Sequence, residues 1–409
     1  MSTPRRQNKV KTLHLVDLGI LQLFSVLKAG SPPVLVPMGL PDTDKLRMCR
    51  KLSCYSPNYM WPVPDTKTIN GKQAYHFVKW SKYSRPGYPT QAHINYDFVF
   101  GDRPLSQVRK ELVPVPCGKC LGCRLDYARQ WADRCLLELQ YHKDAWFVTL
   151  TYNDEHVPIS LYGDPYTGEA HPCLTLDRRD VQLFLKRLRK AIEPTKIRYF
   201  GCAEYGPNTW RPHYHLIIFG LSLDDLALKR QDIDGKVSAY TSQTLSAAWS
   251  KRPFGNKSDI LDPIGDVECS DVTWSACNYV ARYIVKKQLG PDGKDFYDRF
   301  NLVPPFTYMS SRPGIGRPYY EDHQTDLYQH DSISVSTPSG GRNIRPPKYF
   351  DDLYDVVQPE RLAKIKEARR FMAEQAEKAK LQKTSLNIYD LQALEERVRN
   401  QKIPKDYDI

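Results

Sequence analysis

Along the middle of the chain, hydrophobic positions switch repeatedly between strand-like runs and helical spacing. Residues 145–152, AWFVTLTY, form a β-branched and aromatic run closed by Asn153 and Asp154, which predicts a strand. Residues 177–192 carry apolar positions at helical spacing. Asp177 or Thr175 stands at the start as a cap, and Lys186, Arg187, Arg189 and Lys190 gather near the end, where cations suit the helix dipole. Two further strands are predicted over 197–206, IRYFGCAEYG, and 211–220, RPHYHLIIFG, joined by a Pro- and Asn-containing turn. Helical spacing recurs over 125–142 and 275–287. The order strand, helix, strand, strand, helix predicts an α+β fold of ferredoxin-like type, a central antiparallel sheet flanked by helices.

Side chains two apart on a strand share a face, so His213 and His215 point the same way. If the hairpin sets Glu204 roughly opposite His213, one carboxylate and two imidazoles converge, whereas a one-residue slip turns Glu204 away. Mixed oxygen and nitrogen donors with open positions suit a catalytic Mg2+ or Mn2+ better than a closed structural zinc. The plainer alternative is two core or surface histidines of a hairpin. On the helix over 275–287, SACNYVARYIVKK, the core-facing stripe is Ala276, Val280, Ala281 and Ile284. Tyr279 and Tyr283, four apart, stand one above the other on a flank that Lys286 shares, and Lys287 lies nearer the stripe. Tyrosine pairs at this spacing also serve as ordinary core edge.

PCGKCLGCR places Cys117, Cys120 and Cys123 at successive Cys-x-x-Cys spacing, one ligand short of a tetrahedral zinc site. Cys54 is the candidate fourth ligand, with Cys49 or Cys135 in reserve, and reduced, semi-buried thiols are the alternative. Ten cysteines without an export signal fit a reducing compartment. The apolar stretch over 13–27 is interrupted by Asp17 and too short to span a bilayer or to serve as a signal peptide, so a cytoplasmic protein with no membrane partner is expected. A net charge of +12 over 409 residues points to an anionic partner, since a basic chain gains affinity by releasing counterions from phosphates.

The chain divides into an N-terminal extension (1–48), a Cys-, Tyr- and Pro-rich region (49–143) with short strands over 73–80 and 94–100, a central core (144–320), and a linker with a charged helical tail (321–409). Met48 is a plausible alternative start. Within the core, SRPGIGRP combines Arg312 and Arg317 with two glycines in a loop that either grips nucleic acid or simply turns the chain. No internal repeat and no GxxxxGKS/T motif is present.

FVTLTYND (147–154), PHYH (212–215) and the YVARYIVKK helix occur in the order of the three motifs of the HUH endonucleases. With PCGKCLGCR and MSSRPGIGRPYY (309–320), the chain resembles most closely the rolling-circle replication initiators of microvirus single-stranded DNA phages of gokushovirus type, over roughly residues 54–320. The resemblance implies an HUH endonuclease fold and a nicking and ligating enzyme. In it a metal held by His213, His215 and Glu204 polarises a phosphodiester, and Tyr279 or Tyr283, assisted by Lys286, attacks to form a 5′-phosphotyrosine. It implies single-stranded and supercoiled replicative-form origin DNA as substrate, with Arg282, Lys287, Arg312 and Arg317 as DNA-binding candidates. It also implies a host helicase and polymerase as partners, and the bacterial host cytoplasm as the place of action. A transposase or plasmid relaxase of the same superfamily, and a non-enzymatic zinc-stabilised DNA-binding protein, are the alternatives.

Overall fold

The computed structural model describes residues 54, 58–69, 73–78, 113–231, 237–251, 261–273, 276, 277, 279–281, 291–337, 340–386, 391, 394, 395, 397 and 398. The expected extension over 1–48 and the strand over 94–100 lie outside them. A small sheet comes first, with β1 (Asn58–Lys67) between β2 (Gln73–Val78) and β3 (Val113–Val115). Helix α1 (Leu121–Leu139) begins directly after Cys120, one turn earlier than its apolar spacing suggests.

The central sheet is built from β4 (Ala145–Thr151), β7 (Arg198–Tyr205), β8 (Pro212–Phe219), β9 (Leu226–Gln231), β10 (Val237–Ser242), β13 (Val267–Asp271) and β14 (Phe306–Met309). The hairpin β5–β6 (Ile159–Gly163, Ala170–Leu174) and the two-residue pair β11–β12 (Ser250–Lys251, Asp262–Pro263) stand outside it. The strand order is β14-β7-β8-β4-β13-β10-β9, and every pairing is antiparallel. Thus the strand bearing both histidines has neighbours on either side. Alternation along β8 decides the layers. Tyr214, Leu216 and Ile218 pack with Val181, Phe184, Leu185 and Leu188 of α2 (Arg178–Ala191) and Leu245 of α3 (Gln243–Ala248). Ile217 and Phe219 face the other way, onto Ala128, Trp131 and Cys135 of α1 and onto Cys277, Val280 and Ala281. His213 and His215 belong to this second face. Helix α2 starts at Asp177, whose carboxylate accepts the Arg179 N–H at 2.7 Å, which settles the cap in favour of Asp177 over Thr175.

After α4 (Pro291–Arg299) and β14, the stretch expected to be a linker is folded. Helix α5 (Arg317–His330), the hairpin β15–β16 (Ile333–Thr337, Gly340–Ile344), α6 (Lys348–Val357) and the start of α7 (Pro359–Leu381) enclose their own core of Leu137, Tyr320, Tyr328, Ile333, Phe350 and Leu362. The polar composition hid it: Ile333, Val335 and Ile344 are spaced for one face of a hairpin, and aromatic rings supply the rest. Arg369 ties the layer together, donating from Nε to Asp331 at 2.9 Å and from Nη1 to Asp351 at 2.6 Å. Most of α7 beyond Leu362 is exposed and charged, as expected of a tail.

The SRPGIGRP loop is held from below. Buried Glu138 accepts from Arg198 Nε at 2.5 Å and from the Gly316 N–H at 2.6 Å, while Arg198 Nη2 donates to the Pro313 and Gly314 carbonyls at 3.0 and 3.1 Å. Burial alone raises the Glu138 pKa, but His142, the Gly316 amide and Arg198 outweigh it and hold the carboxyl below its usual range. Arg198 is at the far end of β7 from Glu204, about 20 Å away at ~3.3 Å per residue. Arg312 is exposed at that remote end, and Arg317 is paired with Glu321 at 2.7 Å.

Strand β13 meets β4 across Gly265, where a Cβ would come within 1.8 Å of the Thr151 carbonyl oxygen. Backbone on both sides leaves no side chain to yield. Gly265→Ala is expected to cost at least ~1–3 kcal/mol, read as a lower urea midpoint at unchanged slope.

Candidate functional site

The pairing of β7 with β8 sets Glu204 directly opposite His213 and Cys202 opposite His215. All three candidate ligands therefore rise from one face, as the favourable register requires. Glu204 and His215 are 5% and 7% exposed, and Glu204 Oε1 lies 3.5 Å from His215 Nε2. The two imidazole planes are parallel within 1°, with centroids 6.4 Å apart. Two nitrogens on one small cation lie no more than ~4 Å apart, so seating an ion requires the rings to tilt or flip toward each other. Close packing explains the neighbouring glycine: a Cβ on Gly206 would stand 3.0 Å from His213 Cε1.

His213 Nδ1 is shut off from solvent, packed beside Gly206 and the Arg211 carbonyl. Burial first, and then repulsion from His215, lower the His213 pKa, which favours the neutral ring with its lone pair available. On β4, Thr149 pairs with His215, and its hydroxyl lies 3.0 Å from His215 Nδ1. A hydroxyl both donates and accepts, so it can serve either neutral tautomer of the ring. Thr149 was not singled out from the sequence, although TLTY contains the signal: its alternate residues share the histidine face.

Beyond β13 the chain turns into a helix capped by Thr273, which accepts the Ala276 N–H on Oγ1 at 3.1 Å. Cys277, Val280 and Ala281 are fully buried, fixing this helix on the sheet, whereas Ala276, expected in the stripe, is only half-buried. Tyr279 is 41% exposed. Its ring meets that of His215 edge-on at 5.7 Å and that of Phe147 edge-on at 6.0 Å. The structure thus brings Tyr279 to the histidine cluster. Tyr283, Lys286, Arg282, Lys287 and Ile284 lie outside the described residues. Tyr152, Tyr205 and Tyr214 belong to the opposite face, where burial pushes their phenols up and keeps them protonated.

A second cluster joins Cys54 to the PCGKCLGCR turn. The sulfur atoms of Cys54, Cys117, Cys120 and Cys123 all lie within 4.8 Å of one another. Cys117 and Cys123 are 4.0 Å apart and Cys120 and Cys54 are 3.9 Å apart, close to the ~3.8 Å edge of a tetrahedron with 2.3 Å zinc–sulfur bonds. Amide N–H groups of Lys119 and Cys120 point at the Cys117 sulfur from 3.4 and 3.2 Å, and that of Cys117 points at the Cys54 sulfur from 3.2 Å. Contact with Cys120, together with burial, leaves Cys54 pushed up to about 12, and contact with Cys120 and Cys54 raises Cys123 as well. Of the two reserve ligands, Cys135 is in the core beside Cys277 and Cys49 lies outside the described residues.

A family model of replication-associated proteins, that of the ORF2 type, matches residues 145–288, the segment from β4 through the Tyr279 helix. Over that segment the chain is similar to a family of replication-associated proteins. Its similarity runs to viral relatives. It is 37% identical to the replication-associated protein ORF2 of Spiroplasma virus 4 over 241 residues, 58% of this chain and 66% of that one. It is 29% identical to the replication-associated protein VP4 of Bdellovibrio phage phiMH2K over 301 residues, 70% and 83% of the two chains. It is 27% identical to the replication-associated protein ORF4 of Chlamydia phage 1 over 200 residues, 47% and 43% of the two. The match thus spans just under two thirds of the Spiroplasma virus protein and less than half of the Chlamydia phage protein. No solved structure matches the chain significantly. Among the described residues no helix is long and apolar enough to cross a membrane.

Proposed function

We propose that this chain is a replication-associated protein that nicks and reseals single-stranded origin DNA through a tyrosine nucleophile, as an HUH-type initiator of rolling-circle replication. The observation that carries this reading is the meeting of Tyr279, from a later helix, with His215 and its neighbours His213 and Glu204 on the sheet. His213, His215 and Glu204 would hold Mg2+ or Mn2+, which when bound polarises the scissile phosphodiester and stabilises its developing charge. A carboxylate and two imidazoles on one sheet face, a mixed oxygen and nitrogen donor set, fit such an ion. The Tyr279 oxygen then attacks phosphorus, the bond to the 3′ oxygen breaks, and that oxygen leaves as a 3′-hydroxyl while the 5′-phosphate stays on the tyrosine. Reversal by a later 3′-hydroxyl reseals a strand without ATP. Tyr283, four residues on, is the natural second acceptor, and Lys286 the cation beside both; Arg282 and Lys287 would contact the DNA from the same helix. With no ATP-binding motif in the sequence, a host helicase unwinds and a host polymerase extends, in the bacterial cytoplasm, on the supercoiled replicative form. The four-cysteine cluster would bind a structural Zn2+.

The following outcomes test this reading. Single-stranded genomic fragments with Mn2+ should yield a detergent-resistant protein–DNA adduct on Tyr279 or Tyr283, mapped by mass spectrometry. Tyr279→Phe with Tyr283→Phe should abolish it while DNA binding persists, as should loss of both histidines; an adduct surviving either change overturns the assignment. Thr149→Val should weaken Mn2+ binding at least ~10-fold in a calorimetric titration and Thr149→Ser should restore it, because the hydroxyl fixes the ring that holds the ion. The purified chain should carry one zinc, and Cys54→Ser should lose it together with several degrees of melting temperature.

A further inference from the structure

The turn between the two site strands ends in an unusual residue. Trp210 has φ of 52°, the left-handed region that a bulky side chain rarely enters, yet the chain accepts this at the tip of the hairpin that carries Glu204 and His213. Paired hydrogen bonds hold it there: the Trp210 N–H donates to the Gly206 carbonyl at 3.1 Å, and the Gly206 N–H to the Arg211 carbonyl at 2.9 Å. The indole packs at a tilt against two rings, Tyr205 at 5.7 Å and Phe296 of α4 at 5.6 Å, and 40% of the residue faces solvent. An exposed indole buttressed by other rings is a surface on which a nucleobase stacks.

Arg211 follows immediately. It lies two residues before His213, just ahead of β8, with Nη2 anchored on the Tyr152 carbonyl at 2.9 Å and Nη1 on Asp154 at 2.7 Å. The Asp154 side chain is 90% exposed, so its pairing contributes little and is readily exchanged for a phosphate, while the bond to Tyr152 keeps the guanidinium in place. Trp210 is three residues before His213 in sequence, in the turn just ahead of β8, and the rings it packs on belong with the α2 layer, so a strand held there wraps the end of the sheet.

We propose that Trp210 and Arg211 form a hold for single-stranded DNA at the rim of the histidine cluster, Trp210 stacking one base and Arg211 gripping an adjoining phosphate. This rests on the nicking function proposed above and adds to it the two residues that set the register of the strand over the site. Stacking reads no sequence, so the hold serves positioning rather than origin choice. The competing explanation is that Trp210 merely covers Tyr205 and Phe296.

Binding of a fluorescent 20-mer oligothymidylate to the full chain, in EDTA so that no cleavage intervenes, separates the two. Trp210→Ala should weaken binding at least ~5-fold and Trp210→Phe much less, as expected for one stacked base. Arg211→Gln should lower the slope of log affinity against log salt by about 0.7, the share of one phosphate contact on a single strand. Equal affinity of Trp210→Ala and wild type, with the variant folded, overturns the proposal. Absence of single-strand binding by the wild type overturns the nicking function itself and this hold with it. Should Trp210→Ala fail to fold, photocrosslinking of the wild type to 5-iodouracil placed at each position flanking the cleaved bond in turn decides: adduct on Trp210 supports the hold, and adduct only elsewhere overturns it.

Discussion

Everything at the candidate site depends on the register between two neighbouring strands. With Glu204 opposite His213, the carboxylate and both imidazoles occupy one face; shifted by one residue, Glu204 would point into the α2 layer among Phe184 and Leu216. The register is enforced from both faces at once. Tyr214, Leu216 and Ile218 belong to one hydrophobic layer and Ile217 and Phe219 to the other, so a slip would exchange histidines for aliphatic residues in a close-packed core. The site is thus a by-product of ordinary packing: nonpolar residues on alternating sides fix where the polar ones stand.

Much of this was legible because it is local. The strands over 198–205 and 212–219, the helix over 178–191 and the shared face of the two histidines follow from side-chain periodicity alone. Less local features were not legible. Thr149 acquires its place through the pairing of β4 with β8, between residues 66 apart in sequence. Trp210 looked like one more turn residue, since neither its backbone conformation nor its packing against Phe296 is written in the residues beside it. Cys54 could be named only as the missing fourth thiol; the approach of its sulfur to that of Cys120 spans 66 residues.

The C-terminal misreading has a different cause. Serine, glycine and threonine around the β15–β16 turn resemble a linker, but a hairpin needs only a few inward residues when tyrosine and phenylalanine rings from adjacent helices close over it. The same layer includes Leu137 of α1, and Glu138 beside it holds the SRPGIGRP turn. A segment taken for an appendage therefore continues the support of the helix that backs the histidine face.

The histidine strand is hydrogen-bonded on both edges, whereas Tyr279 is carried on a helix seated by the side chains of Cys277, Val280 and Ala281. Ladders on two sides make the histidine strand stiff, whereas the helix joins it through packed side chains alone. One half of the cluster is thus tied by backbone bonds and the other by close packing, so a core substitution under the helix would shift Tyr279 while leaving the histidines in place.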